Sequence, residues 1–177
     1  KPLKMAHLLP LCEFESSEFI IEEHDVCIPV PPEKVFPHIC KIGGKHGWIH
    51  ANLLWKIRGW IDRVLGGAGL HRGRRDLAHL RVGDSVDFWR VEKLEPNEEL
   101  LLRAEMITPG LSWLQFQLNP ETENGTRLIL RAHFIPKPFW GNIYWVALSS
   151  FHSYIFKGML DYFRKQSLEA TTNYKNL

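Results

Sequence analysis

Four strand-like runs lie between positions 85 and 135, Ser85–Leu94, Glu99–Ile107, Leu111–Leu118 and Thr126–Ile135, and apolar and polar residues alternate cleanly along the last three. A strand points successive side chains to opposite faces, so alternation of this kind marks half-buried strands. Leu100, Leu102, Ala104 and Met106 share one face of the second run. Leu114, Phe116 and Leu118 do so in the third, and Leu128, Leu130, Ala132 and Phe134 in the fourth. The opposite faces carry Arg103, Glu105, Gln115, Gln117, Arg127, Arg131 and His133. Glu95-Pro-Asn97, Thr108-Pro-Gly110 and Asn119-Pro…Asn124-Gly125 break the runs with turn residues. The pattern predicts an antiparallel meander, apolar on one side and wet on the other. No helical segment interrupts it, so no parallel crossover is expected.

Upstream, Phe19–Val30 reads as a further strand with Ile20, Val26 and Ile28 on one face, ended by Pro29, Pro31 and Pro32. Pro32-Glu33 suits a first helical turn, and Val35, Phe36 and Ile39 give a short helix closed by Gly43-Gly44. A second helix is predicted over 51–65, where Leu54, Ile57, Ile61, Val64 and Leu65 recur at helical spacing before Gly66-Gly67. Downstream, Tyr144, Ala147, Leu148, Phe151, Ile155, Met159 and Tyr162 form one stripe on a helix from Gly141 to about Ser167. At 1.5 Å per residue that helix would be roughly 40 Å long. It would cross the whole domain, and the sheet must close upon it. The expected organisation is an arm over 1–17, one domain over 18–168 and a tail over 169–177.

Composition narrows the class. Of 177 residues 45% are hydrophobic and 24% charged, and seven are Trp, which suits a packed core. Twenty-two Lys and Arg against 20 Asp and Glu give a net charge of +2, too balanced for a dedicated nucleic-acid binder. Cys12, Cys27 and Cys40 are too few for a disulfide framework and point to free thiols in a reducing, cytoplasmic compartment. His7 and Pro10 interrupt the short apolar run near the start, so an arm is expected there rather than a secretory leader. Phe139–Phe156 lacks formal charges, but Asn142, Ser149, Ser150, His152 and Ser153 argue for an amphipathic buried helix over a membrane span.

Candidate chemistry is sparse. Gly66-Gly-Ala-Gly69 follows a helix instead of opening one, which suits helix termination and not a phosphate loop. Arg72, Arg74 and Arg75 beyond it suit an ion-paired loop, with Asp76 and Asp84 as partners. His46, His50, His38 and Cys40 lack familiar ligand spacings, so neither a metal nor another cofactor is expected. Ser149, Ser150 and Ser153 cannot pair with His152 as nucleophile and base, because helix neighbours point apart. His152 could act alone as a general acid or base, or could be a capped helix-edge histidine. Trp55, Arg58 and Asp62 share one side of the second helix. Along the first run, alternation would send Asp87 and Trp89 one way and Phe88 and Arg90 the other. One charged residue must then approach the interior and find a partner. Two readings stand open: a salt-bridge network that fixes helix to sheet, or a polar anchor in an apolar pocket.

The order strand, two short helices, meander and long helix, opening with Val26-Cys-Ile28…Pro31-Pro-Glu-Lys-Val-Phe36, resembles the START-like, helix-grip superfamily of birch-pollen-allergen-like and polyketide-cyclase-like proteins. Trp48…Ala51-Asn-Leu-Leu-Trp55…Arg58-Gly59…Asp62, Gly66-Gly-Ala-Gly69…Arg72-Gly-Arg-Arg-Asp76 and Leu80-Arg-Val-Gly-Asp84…Asp87-Phe-Trp-Arg-Val91 form a more particular run. It resembles the bacterial domain-of-unknown-function 2867 family, whose members often lie behind short-chain-dehydrogenase-like domains. The resemblance implies an α+β helix-grip fold: a curved antiparallel sheet wrapped round a long C-terminal helix, with a cavity between them. It carries over no catalytic residue. The expected function is binding of a hydrophobic or amphipathic small molecule in that cavity. Tyr144, Phe151 and Ile155 would line it from the helix and Phe116 and Phe134 from the sheet. Trp89, Asp87 or Arg90, with Trp55 and Arg58 nearby, would supply the polar end. The alternatives are a cyclase- or dehydratase-like enzyme using His152 or Asp87, and an accessory module docking on a dehydrogenase-like partner through Trp140 and Trp145.

Overall fold

The alternating runs pair edge to edge into one curved antiparallel sheet of six strands in the computed structural model, which describes residues 10–13, 19–44, 48, 57, 60, 63–64, 74–76, 79–122 and 124–175. The strands are β1 (Ile20–Ile28), β2 (Ser85–Val86), β3 (Trp89–Glu95), β4 (Glu99–Ala104), β5 (Gly110–Thr122) and β6 (Gly125–Pro136). Their spatial order is β1-β6-β5-β4-β3-β2, and every pairing is antiparallel, as the meander requires. Helix α1 (Pro32–Ile39) follows β1 and opens on the predicted proline. Ile57, Trp60, Arg63 and Val64 are helical and exposed; the rest of the predicted second helix, Trp55, Arg58 and Asp62 included, lies outside the described residues.

Helix α2 (Trp140–Lys175) has 36 residues, about 54 Å, and runs on past Ser167, where the sequence places its end. Its buried side is turned from the predicted stripe by about one residue. Ile155, Phe156, Met159, Leu160 and Phe163 are buried against the sheet, whereas Phe151 is 52% exposed and Tyr162 39%. Aromatic residues ring this helix on several sides, so spacing alone does not single out the inward one. The buried set meets Leu100, Leu102, Leu114, Phe116, Leu128 and Leu130 from the concave sheet face and Val35 and Ile39 from α1. Each such side chain contributes about 1.5–3 kcal/mol relative to exposure.

Two expectations about the sheet need correction. The first run is two strands, because the chain folds back at Asp87-Phe88 and Ser85 pairs with Arg90. Asp87 takes φ 55, a left-handed conformation that a short polar side chain tolerates. Alternation therefore fails there, and Asp87, Phe88 and Trp89 are all buried. Nor is the convex face simply wet. Leu101, Leu111 and Trp113 are buried on it, with Leu11 and Phe19 packed against them. Glu92 ties this cover down, accepting from Leu11 N at 2.6 Å and Trp113 Nε1 at 3.0 Å. Polar pairs hold the rest of that face, including His133 with Gln115 at 2.9 Å and Arg131 with Gln117 and Glu23.

Gly110 lets β5 approach β6 closely, and Gly141 lets the start of α2 approach the sheet. A Cβ on Gly110 would meet Ile135 O at 2.4 Å, and one on Gly141 would meet Pro109 O at 2.7 Å. Only glycine allows the backbone segments to approach so closely. The helix thus starts hard against the end of the β5–β6 pair.

Candidate functional site

Between the first turns of α2 and the concave face lies a cavity of about 250 Å³. Trp89, Phe134, Tyr144, Phe151, His152 and Ile155 are among its lining. Aromatic stacking shapes the wall: Trp145 lies over Phe134 with centroids 5.2 Å apart and planes 12° from parallel. Such pairs resist collapse beyond the area they bury. The lining is almost wholly apolar. Trp89 Nε1 is buried and has no hydrogen-bond partner among the described residues.

His152 is one of a few polar residues in the lining, with Thr108 and Ser112, and it faces Glu22, which borders a second, open cleft of about 480 Å³. Trp145 borders both spaces. The cleft is lined by Glu22, His24, Ser149 and Ser153 among others. Glu22 organises the cluster: its Oε1 accepts from Ser153 Oγ at 2.8 Å and lies 2.9 Å from His24 Nε2. Its other oxygen, Oε2, is buried and lies 3.7 Å from His152 Nδ1, which is likewise buried. Neither atom has a hydrogen-bond partner among the described residues. The His152 ring stacks on Phe156 at 5.5 Å and meets Trp145 edge-on at 5.3 Å. Burial pushes the His152 pKa down, and the Glu22 charge opposes this only in part.

The predicted polar end divides. Trp89 lines the cavity, whereas Asp87 and Arg90 do not. The Asp87 carboxylate is 5% exposed and its Oδ2 accepts from Trp48 Nε1 at 2.9 Å and Gly44 N at 3.1 Å. These bonds fasten the loop after α1 to the β2–β3 turn. Arg90 lies on the other side, bound to both oxygens of Glu105 at 2.7 and 2.9 Å. Phe116 is in the sealed core, edge-on to Phe163 at 6.0 Å. In the basic loop Arg75 grips Asp84, while Arg74 donates to the carbonyls of Cys40 and Ile42 at 2.7 and 2.9 Å. Cys40 beside it is half-buried, and desolvation pushes its thiol pKa up to about 11.

Glu22 and His24 were not singled out from the sequence, and Ser153 was weighed only as a nucleophile beside His152, although a signal existed for the strand pair. The alternation that puts Ile20, Val26 and Ile28 inward also turns Glu22 and His24 inward. Two polar residues on the buried side of a strand require partners. The partners come from α2, more than a hundred residues away, which periodicity does not reveal.

A family model described as "Protein of unknown function (DUF2867)" matches residues 20–159, and the chain belongs to that family. No curated protein matches it. Norcoclaurine synthase from Thalictrum flavum superposes with a TM-score of 0.52 at 10% identity, covering 85% of this chain and 87% of that one. Its complex with dopamine and hydroxybenzaldehyde also gives 0.52, at 11% identity over the same shares. The Zhui aromatase/cyclase from a Streptomyces species gives 0.48 at 14% identity, over 86% of this chain and 96% of that one. At such identities the likeness concerns architecture, and the architecture is the START-like helix grip. No helix among the described residues is long and apolar enough to cross a membrane.

Proposed function

We propose that the chain binds a small hydrophobic or amphipathic molecule between the concave sheet and the amino-terminal half of α2. The observation that carries this is the cavity itself, apolar almost throughout, with His152, Ser112 and Thr108 among its few polar residues. Few convergent polar groups in an apolar hollow are the usual form of a small-molecule site. Its size bounds the occupant. An apolar cavity of roughly 150 Å³ takes benzene, so about 250 Å³ suits a two-ring aromatic. A neighbour of the same fold holds dopamine and hydroxybenzaldehyde, both single-ring aromatics, which supports a ligand of this scale.

The test is a titration of purified protein with the neutral dye N-phenylnaphthylamine, combined with native mass spectrometry of the freshly isolated chain. The expected result is saturable binding with one site per chain, quenched Trp emission, and displacement by naphthalene. Failure of both dye and naphthalene to saturate would overturn the reading.

An enzymatic reading in the same cavity, cyclase- or dehydratase-like, draws on His152 as a titratable group with a depressed pKa in the lining. A docking reading, with a dehydrogenase-like partner, draws on Phe139, Trp140, Ile143 and Val146, which are exposed around the start of α2. Mixing with such a partner in size-exclusion chromatography would decide the latter.

A further inference from the structure

The Glu22–His152 pair determines which kind of polar group the cavity accepts. A neutral imidazole carries one proton, and the group facing one nitrogen sets the role of the other. His152 Nδ1 is buried and faces the buried Glu22 Oε2 at 3.7 Å. Two lone pairs facing each other would repel, so the proton belongs on Nδ1, and a shift of about 1 Å closes the hydrogen bond. The ring is then held as the tautomer whose Nε2 is an acceptor. Among the described residues Nε2 has no hydrogen-bond partner, and the ring lines the cavity. Desolvation favours the uncharged ring, so this tautomer is the form present at neutral pH.

We infer that the site selects neutral aromatic ligands bearing a hydrogen-bond donor, phenols and enols, over ethers and carboxylates of the same shape, with Glu22 as the positioning residue that fixes the His152 tautomer. The inference rests on the cavity being a ligand site. An ether oxygen has no proton to give to Nε2. A carboxylate meets an acceptor backed by the Glu22 charge. A phenol fits both demands. Ser153 and His24 hold the far oxygen of Glu22, which keeps Oε2 aimed at the ring.

Naphthol, methoxynaphthalene and naphthalene separate the possibilities, because naphthol and its methyl ether share the ring and the oxygen and differ in the donor. Wild-type protein should bind naphthol about fivefold or more tightly than methoxynaphthalene, the worth of one neutral hydrogen bond. In Glu22→Gln the amide oxygen can keep Ser153 and His24, while the amide nitrogen donates to Nδ1 and moves the ring proton to Nε2. The fivefold gap should then close, with naphthalene affinity unchanged. Equal binding of naphthol and methoxynaphthalene by the wild type would overturn the inference and leave the cavity reading intact. Absence of naphthalene binding would overturn both. A readout free of ligand and variant is the nitrogen-15 shift pair of the His152 ring at neutral pH. A protonated Nδ1 with bare Nε2 is expected; a protonated Nε2 or a doubly protonated ring would overturn the assignment.

Discussion

The two halves of α2 share one backbone and one sheet, yet they do opposite things. From Met159 onward the inward side is sealed: Met159, Leu160, Phe163 and Ser167 are all buried, Met159, Phe163 and Ser167 completely. Before Ile155 the same helix leaves Trp140, Val146, Phe151 and Tyr154 exposed and borders a cavity. The difference lies in what faces each half. The second half meets α1 and the aliphatic middle of β4, β5 and β6, which can close on it. The first half meets Glu22 and His24 of β1 on one flank and, on another, Phe134 of β6, on which its own Trp145 stacks. Polar groups that must keep their partners and rings that must stay stacked cannot collapse into a void. A hollow persists beside such neighbours and fills beside Leu and Met.

The sharpest break of that comparison is a pair of identical truncations, one on each half. Phe163→Ala removes a fully buried ring and should cost about 3–5 kcal/mol, because its neighbours are already packed and leave a void. Phe151→Ala, half exposed at the cavity edge, should cost about 1 kcal/mol or less and instead shift dye affinity. Chemical denaturation of both variants with a dye titration on each gives the four numbers required. Equal stability losses would mean that the first half is as tightly packed as the second.

A smaller effect separates fastening from binding. Asp87 and Trp89 are two residues apart, but Asp87 holds Trp48 and the Gly44 amide while Trp89 lines the cavity. Asp87→Ala leaves two donors without their acceptor and should cost about 2–3 kcal/mol in denaturant unfolding. Dye affinity measured well below the unfolding midpoint should not change. A loss of affinity with little loss of stability would reverse the assignment and return Asp87 to the site.

The sheet and its apolar face were legible in the sequence because period two is a local signal, and Leu100, Leu102, Leu114, Phe116, Leu128 and Leu130 all lie where it puts them. The Asp87-Phe88 fold-back was not, since nothing in Ser85–Leu94 marks a turn, and the left-handed Asp87 is accommodated by packing against Gly43. Trp113 and Leu101 break the polar face because a distant segment, Leu11 and Phe19, covers them. The inward side of α2 was misjudged by about one residue because aromatic residues ring the helix. The Glu22–His152 cluster joins residues at opposite ends of the chain and could only be half read, from the strand.

The smallest expected effect concerns protons, and it again distinguishes the two halves of the helix. Burial lowers the pKa of His152, with Glu22 opposing, so the folded protein resists a proton that the unfolded chain takes up near pH 6.5. Below that value the unfolded state binds more protons than the folded one, and stability falls as the pH falls. His133 on the convex face and His38 on α1 are also lowered by burial and act in the same direction. Asp84, held low by the Arg75 hydrogen bond, acts in a separate window below the ordinary carboxylate range. Denaturant midpoints measured from about pH 7.5 down to about pH 5 should therefore decline for the wild type. His152→Phe keeps a ring against Phe156 and removes one of the three titrations, so its decline should be shallower while its stability at the upper end stays close to wild type. The sealed half of α2 offers no titratable group among its fully buried side chains, and Met159→Leu there should leave the slope untouched. If His152→Phe and the wild type decline in parallel, the His152 ring takes its proton equally in the folded and unfolded states, and the cavity edge is wetter than its burial implies.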